Sequence, residues 1–312
     1  MTDRPAPRVA VCVATFRRPR QLAELLESLG AQRAPLAGRV WVCVVDNDAD
    51  ASARAVVEAA RPRLPYEVDY AVEPRRNIAL ARNRGVARAL EMGAEWVAFI
   101  DDDEVARPGW LQALLAAQAR FAADAVSGPV RPRLAADAPG WAERGGFFAL
   151  PMPPAGTPLG TAATNNALVS RRLLAAVPGP FDPAFGLTGS SDSLFFTRCA
   201  RQGARLVAAP DAVVEEAVPA ARARAGWVLR RAFRVGNAAW WMERALPAEV
   251  RRPGERLGKA TARLLGSALL FPTAALLGRA AALRALAGVW YGAGCLAGVA
   301  GHRYAEYRDV RR

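Results

Sequence analysis

Over roughly its first hundred residues the chain alternates between two hydrophobic rhythms. Apolar, β-branched runs appear at RVAVCVATF (8–16), RVWVCVVDND (39–48), YEVDYAVEP (66–74) and AEWVAFIDDD (94–103). Such runs read as strands buried on both faces. Between them the apolar positions fall three and four apart. RRPRQLAELLESL puts Leu22, Leu25, Leu26 and Leu29 on one helical face; ASARAVVEAARP and NIALARNRGVARALEMG follow the same rule, the latter stopping at Gly93. Strand and helix alternate four times, which predicts an α/β domain with a mostly parallel central sheet and helices on both faces.

Further on, GWLQALLAAQARFAA predicts another helix and DAVSGPVRPRL (124–134) another strand. The Pro/Gly-rich stretch 137–160 predicts a long loop over one edge. The pattern changes again near residue 220. Arginine and tryptophan interleave over 222–263, and two uncharged apolar segments follow, LLGSALLFPTAALLG (264–278) and ALAGVWYGAGCLAGVAG (285–301). Both fall short of the ~20 residues of a spanning helix. The expected organisation is a domain over 1–220 and a basic, apolar helical region over 221–312.

Charge sharpens that division. Of the net charge of +13, residues 217–312 carry +12, with 17 Arg/Lys against 5 Asp/Glu. Residues 1–216 are almost neutral, with 25 against 24. Only one of the 42 basic residues is Lys, so the arginine excess partly follows codon bias and is not read residue by residue. A basic patch with tryptophans suits nucleic acid or an anionic membrane surface. The acidic strand ends described next oppose nucleic acid, and the apolar segments favour a membrane surface. The four cysteines lie far apart with no CxxC, which fits free thiols in a reducing compartment. A single histidine, His302, removes Ser-His-Asp catalysis and multi-His zinc sites. No signal peptide is expected in MTDRPAPR, which lacks an apolar run.

The candidate chemistry sits at the carboxyl ends of the strands, where open parallel sheets bind ligands. Thr15-Phe16-Arg17, Asp46-Asn47-Asp48 and Asp101-Asp102-Asp103 fall there and are expected to meet in space. There is no GxGxxG after the first strand and no GxxxxGK[ST], so side chains and acids must grip the ligand. Asp101 to Glu104 are four consecutive acids. One could cap the helix that starts near Pro108, as Asp103 or Glu104. Four repel one another unless a cation lies among them. Asp101 and Asp103 could therefore hold Mg²⁺ or Mn²⁺, which take a carboxylate or two plus substrate phosphates. A helix cap or a solvated turn is the alternative on the residues alone.

The order strand-Thr-Phe-Arg, strand-Asp-Asn-Asp, NIALARNRGVARA, strand-Asp-Asp-Asp resembles the inverting family 2 glycosyltransferases over roughly residues 8–235. GTAATNNALVSRRLL (160–174) and FDPAFGLTGSSDSLFFTR (181–198) are similar to the subgroup that builds bacterial exopolysaccharide. The resemblance implies a GT-A-like fold and transfer from a nucleotide diphosphate sugar, with UDP the expected nucleotide. It implies nucleotide-sugar contacts from Thr15, Phe16, Arg17, Asp46 (the base reader), Arg82 with Asn83 beside it, Asp101 and Asp102 (the ribose). It implies metal contact from Asp103. Asp192 is implied as the general base, and Asn165 and Asn166 line the acceptor side or cap a helix. Asp182 is read as a turn residue.

An alcohol is a poor nucleophile, so a carboxylate must take its proton, and the leaving diphosphate needs a cation. One acid by the acceptor and a metal-binding pair by the donor make the minimal set. Asp192 could equally cap the helix SLFFTRCARQG. The family's later metal-binding His is missing; APDAVVEEAVP offers Glu215 and Glu216 instead. The Gln-x-x-Arg-Trp signature of processive synthases is also missing, so one sugar per encounter is expected. The expected acceptor is a saccharide or lipid-linked saccharide, met at the cytoplasmic face of the bacterial inner membrane. The competing readings are a sugar-phosphate nucleotidyltransferase, which would want a Gly-rich loop where ATFRRPRQ stands, and an inactive membrane scaffold.

Overall fold

The computed structural model describes residues 7–32, 39–149 and 151–304, so most of the N-terminal MTDRPAPR stretch lies outside it. The chain divides into two compact units. The first takes the described residues up to Arg131, with Pro151–Gly186 and Ser191–Glu216; the second takes 132–149, Leu187–Ser190 and the described residues from Ala217 onward.

The first unit opens with β1 (Val9–Thr15), α1 (Pro19–Gly30), β2 (Val40–Asp46), α2 (Arg54–Ala60), β3 (Glu67–Val72), α3 (Ile78–Glu91) and β4 (Trp96–Ile100). These are the four predicted repeats. Next come β5 (Glu104–Ala106), α4 (Trp110–Phe121), β6 (Ala125–Ser127) and β7 (Val130–Leu134), after which the chain enters the second unit with α5 (Gly140–Arg144) and then returns. β8 (Asn166–Ser170), α6 (Arg171–Ala175), α7 (Ser191–Arg201), β9 (Leu206–Ala208) and β10 (Val214–Val218) follow. The main sheet runs β3-β2-β1-β4-β8-β6-β9. β3, β2, β1 and β4 pair in parallel, and β8 is antiparallel to both its neighbours.

Pleat alternation explains why β1 is apolar throughout. Val9, Val11 and Val13 pack on one face with Leu22, Leu25 and Leu29 of α1. Ala10 and Cys12 pack on the other with Ala79 and Val86 of α3. The register places Thr15 beside Asp46 and Asp46 beside Val72, so the polar residues leave the sheet at one level.

Two expectations change. The strand expected over 124–134 breaks at Gly128-Pro129 into β6, in the main sheet, and β7, in a three-stranded sheet of order β5-β10-β7. Proline cannot donate to a ladder, and a Cβ on Gly128 would lie 2.1 Å from the Ala212 carbonyl oxygen. The loop expected over 137–160 contains α5, and its end does cover an edge. Gly156 and Leu159 N–H donate to the Ala208 and Leu206 carbonyls of β9, both at 2.9 Å. All four cysteines are free and buried.

The second unit is built on α8 (Ala225–Ala245), α9 (Pro253–Leu276) and α10 (Arg279–Val299). α10 is long and apolar enough to cross a membrane by length and composition. Its small residues let backbones approach closely. A Cβ on Gly294 would lie 2.0 Å from the Phe233 oxygen of α8, and one on Gly292 would lie 2.8 Å from the Ala260 oxygen of α9. Buried Asn237 on α8 donates to the Gly294 and His302 carbonyls at 3.1 and 2.9 Å.

Candidate active site

The four acids after β4 have separate jobs. Asp102 is buried at 5% exposure. Its Oδ2 accepts from Thr15 Oγ1 at 2.8 Å and its Oδ1 from Arg18 Nη1 at 2.9 Å. The same Arg18 nitrogen donates to Asp103 Oδ2 at 2.8 Å. Arg82 Nη2 donates to Asp101 Oδ1 at 3.2 Å. Glu104 starts β5, and its Oε2 accepts the Asp101 N–H at 2.9 Å. Neither Asp103 nor Glu104 caps α4, which follows Gly109 with no side-chain cap.

Crowding these carboxylates inside the fold disfavours their ionised forms. Burial pushes Asp102 up to about 6, against the pull of Arg18. Burial raises Asp101 too; Arg82 opposes the rise, while Asp103 and Asp192 add to it. Glu104 is raised well above the ordinary carboxylate range, by burial and then by Asp101. The cluster is thus short of positive charge despite two guanidiniums.

On the β2 side, Asp46 is fully buried. Its Oδ2 accepts from Ala53 N–H at 2.7 Å and Tyr70 Oη at 2.9 Å, and its Oδ1 from Asp48 N–H at 3.1 Å. Asp46 therefore closes the turn after β2. The neighbouring surface belongs to Phe16 and Arg17. Arg17 takes a left-handed conformation (φ 53°), and its Nε donates to Asp48 Oδ2 at 2.8 Å. That bond, against the cost of burial, holds Asp48 below the ordinary range. Arg17 and Arg76 lie over the Phe16 ring at 5.3 and 4.9 Å, gathering two cations on one aromatic side chain.

Asp192 lies in the first turn of α7, where the helix dipole favours a negative charge. Its Oδ2 accepts from the Thr164 N–H and hydroxyl at 3.3 and 3.4 Å, and its Oδ1 from Ser193 N–H at 2.7 Å. A small cavity, with room for about one water, has Arg82, Asp101 and Thr164 among its lining residues. The Thr-Asn-Asn segment thus approaches the acids through its threonine. Asn165 is half-buried. Asn166 is fully enclosed: it accepts from Trp110 Nε1 at 2.8 Å and donates to the Pro129 and Ala212 carbonyls at 2.9 and 2.7 Å. Its amide ties β8 to α4 and to the loops around Pro129 and Ala212. Asn83 is similar. It donates to the Phe181 carbonyl at 2.7 Å and accepts the Phe181 N–H at 2.9 Å, tying α3 to the FDPAF turn. Asp182 caps that turn through Ala184 N–H, as read from sequence.

Sequence reasoning missed Arg18, Thr164 and Tyr70. Arg18 follows the Thr-Phe-Arg element directly, and Thr164 precedes the two asparagines, so adjacency was the available signal. Of the two glutamates offered in place of a histidine, Glu215 is held by Arg107 at 2.7 Å. Glu216 sits opposite Glu104 in the β5–β10 register and helps raise it.

Among the described residues no three His, Cys, Asp or Glu side chains form a ready metal cage. The donor set nevertheless fits a hard divalent cation. Asp101 and Asp103 offer carboxylate oxygens in a cluster short of positive charge, and such ions take most of their remaining ligands from phosphates and water.

The sequence model for glycosyl transferase family 2 matches residues 10–177. The chain belongs to glycosyltransferase family 2. As a family 2 glycosyltransferase it is also 38% identical, over 230 residues and 73% of each chain, to the succinoglycan biosynthesis protein ExoM of Rhizobium meliloti (strain 1021). Its fold is GT-A. It matches the mannosyltransferase PcManGT from Pyrobaculum calidifontis, solved with GDP-Man and Mn²⁺, with a TM-score of 0.64, 23% identity, and coverage of 94% of this chain and 87% of that one. It matches residues 1–349 of S. aureus TarS, solved with UDP-GlcNAc, with a TM-score of 0.54, 15% identity and 98% coverage of both. The nucleotidyltransferase reading falls with the family assignment.

Proposed function

We propose that this glycosyltransferase adds one sugar, with inversion, from a nucleoside diphosphate donor to a hydroxyl of a growing exopolysaccharide, carried on a lipid. The observation that carries the reading is Asp192, held by Thr164 and near enough to Asp101 for its charge to raise that acid. Similarity to ExoM supports the exopolysaccharide setting, and the subgroup resemblance supports UDP as the nucleotide.

The roles follow from position. Asp192 takes the proton of the attacking hydroxyl, and two bonds from Thr164 fix the direction in which its carboxylate is presented. The Phe16 face, with Arg17 and Arg76 above it, suits a base and its phosphates. Asp102, fixed by Thr15 and Arg18, keeps the acidic turn in shape, and the family resemblance supports it as the ribose contact. Asp101 and Asp103 would hold Mg²⁺ or Mn²⁺, which supplies charge neutralisation for a departing diphosphate. Arg82 steadies Asp101 from the helix side.

The test is a donor panel of UDP-, GDP- and dTDP-sugars offered to the purified protein with a lipid-linked saccharide acceptor. Nuclear magnetic resonance of the new linkage reads its configuration. Transfer from one donor class with inverted configuration is expected. A retained configuration, or polymer growth from single encounters, would overturn the proposal.

A further inference from the structure

Two helices of the second unit are apolar, and packing separates their roles. α10 is the more hydrophobic by sequence, yet its glycines are spent on neighbours. Gly288 and Gly292 face α9, and Gly294 and Gly298 face α8. The end of α9 is the most exposed apolar surface among the described residues. Leu269, Leu276 and Leu277 are 80, 89 and 81% exposed, and Leu265 and Leu270 are each 61%. Leu265, Leu269 and Leu276 share one helical face. Exposed leucine on this scale marks an interaction surface.

Charge identifies the occupant. From Arg256 to Tyr304 the chain holds no acid and six basic residues: Arg256, Lys259, Arg263, Arg279, Arg284 and Arg303. Arg263 and Arg279 flank the uncharged stretch 264–278, and Arg284 lies one further turn along α10. A second copy would bring the same positive rim to the same face. A bilayer with anionic headgroups offers both an apolar layer and a negative rim. Depth is limited as well. Arg279 immediately follows the α9–α10 turn, so α9 cannot be driven end-on through the bilayer without carrying that charge into the hydrocarbon.

We infer that the C-terminal half of α9 lies in the headgroup–acyl boundary of an anionic membrane, with Leu265, Leu269 and Leu276 inserted and Arg279 and Arg284 on phosphates. This does not depend on the donor or on Asp192, so it can fail while the transferase reading stands.

The test is flotation of the full-length protein with vesicles of phosphatidylcholine alone, or with about a third phosphatidylglycerol, beside the double variant Leu269→Glu/Leu276→Glu. The wild type is expected to float with the anionic vesicles, more weakly in high salt and at least tenfold more weakly with the neutral ones. The variant should lose about a hundredfold in affinity with its helical circular dichroism unchanged. Variant binding equal to wild type would overturn the inference. So would folded wild type that ignores both vesicles, a dimer that the variant dissolves without any vesicle binding, or membrane retention through alkaline carbonate, which marks a spanning segment.

Discussion

The two units use the same residue, arginine, in opposite ways. In the first unit, Arg18 and Arg82 are drawn in among carboxylates and spend their donors on Asp101, Asp102 and Asp103. In the second, Arg279 and Arg284 stand exposed beside leucine, and no acid follows Glu255 until Glu306. The acids determine the difference. Where parallel strand ends converge, the fold gathers negative charge that neighbouring cations must balance. Where helices pack through glycine, an apolar flank is left with a positive rim. The first arrangement prepares a site for a charged ligand, and the second prepares a surface.

The largest expected effect breaks the comparison at Asp192. Asp192→Asn should lower the transfer rate about a thousandfold, in the range typical of a general base. Donor affinity should stay within about threefold, read by titration on the same samples. A rate within tenfold of wild type would leave Asp192 a helix residue only.

Asn166→Ala tests whether buried polar bonds hold the first unit. It leaves Trp110 N–H and the Ala212 carbonyl without the Asn166 amide, and should cost about 3 kcal/mol in denaturant unfolding. A loss under ~1 kcal/mol would mean that water takes over these partners.

The acid cluster also predicts a pH signature. Asp102 titrates near 6 in the fold against 3.8 in the free side chain. Between these values the folded protein keeps a proton that the unfolded chain has lost. Stability therefore falls as pH rises from about 4 to 6, by up to ~3 kcal/mol from this group, and is recovered as pH falls. Asp101 and Glu104 act in the same direction. Subtracting the unfolding free energy of Asp102→Asn, measured without metal, should expose that slope. A difference curve flat across the window would contradict it.

The smallest effects sharpen the helical side. A Cβ on Gly236 would lie 1.9 Å from the Tyr291 carbonyl oxygen, whereas one on Gly258 meets nothing within 4 Å. Gly236→Ala should cost about 2 kcal/mol, and Gly258→Ala should be neutral or gain ~0.5 kcal/mol. Thermal melts of the pair would read this directly, and equal shifts would deny the close helix contact.

Much of the fold was legible because β1 to β4 are buried on both faces and α1 to α3 on one, so two periodicities and their junctions mark each element. The same junctions pointed to Thr15, Asp46 and Asp101 as neighbours. Sequence could not show which of those polar groups the fold would consume. Asp46, Asn83 and Asn166 look like ligand contacts in a motif, yet each is satisfied by backbone groups or side chains distant in sequence. Arg18 and Thr164 carry no signal apart from adjacency to a motif. The two apolar tail segments read alike by composition, and only packing separates α10, whose glycines meet α8 and α9, from the bare end of α9.

The most direct test of the central claim is a calorimetric titration of the protein with UDP, GDP and dTDP, with and without Mn²⁺, beside Asp103→Ala. The account predicts that one nucleotide binds, that Mn²⁺ strengthens it at least tenfold, and that Asp103→Ala removes the metal's contribution while staying folded. Nucleotide binding that is indifferent to metal and unchanged in Asp103→Ala, or no binding by folded protein, would contradict it.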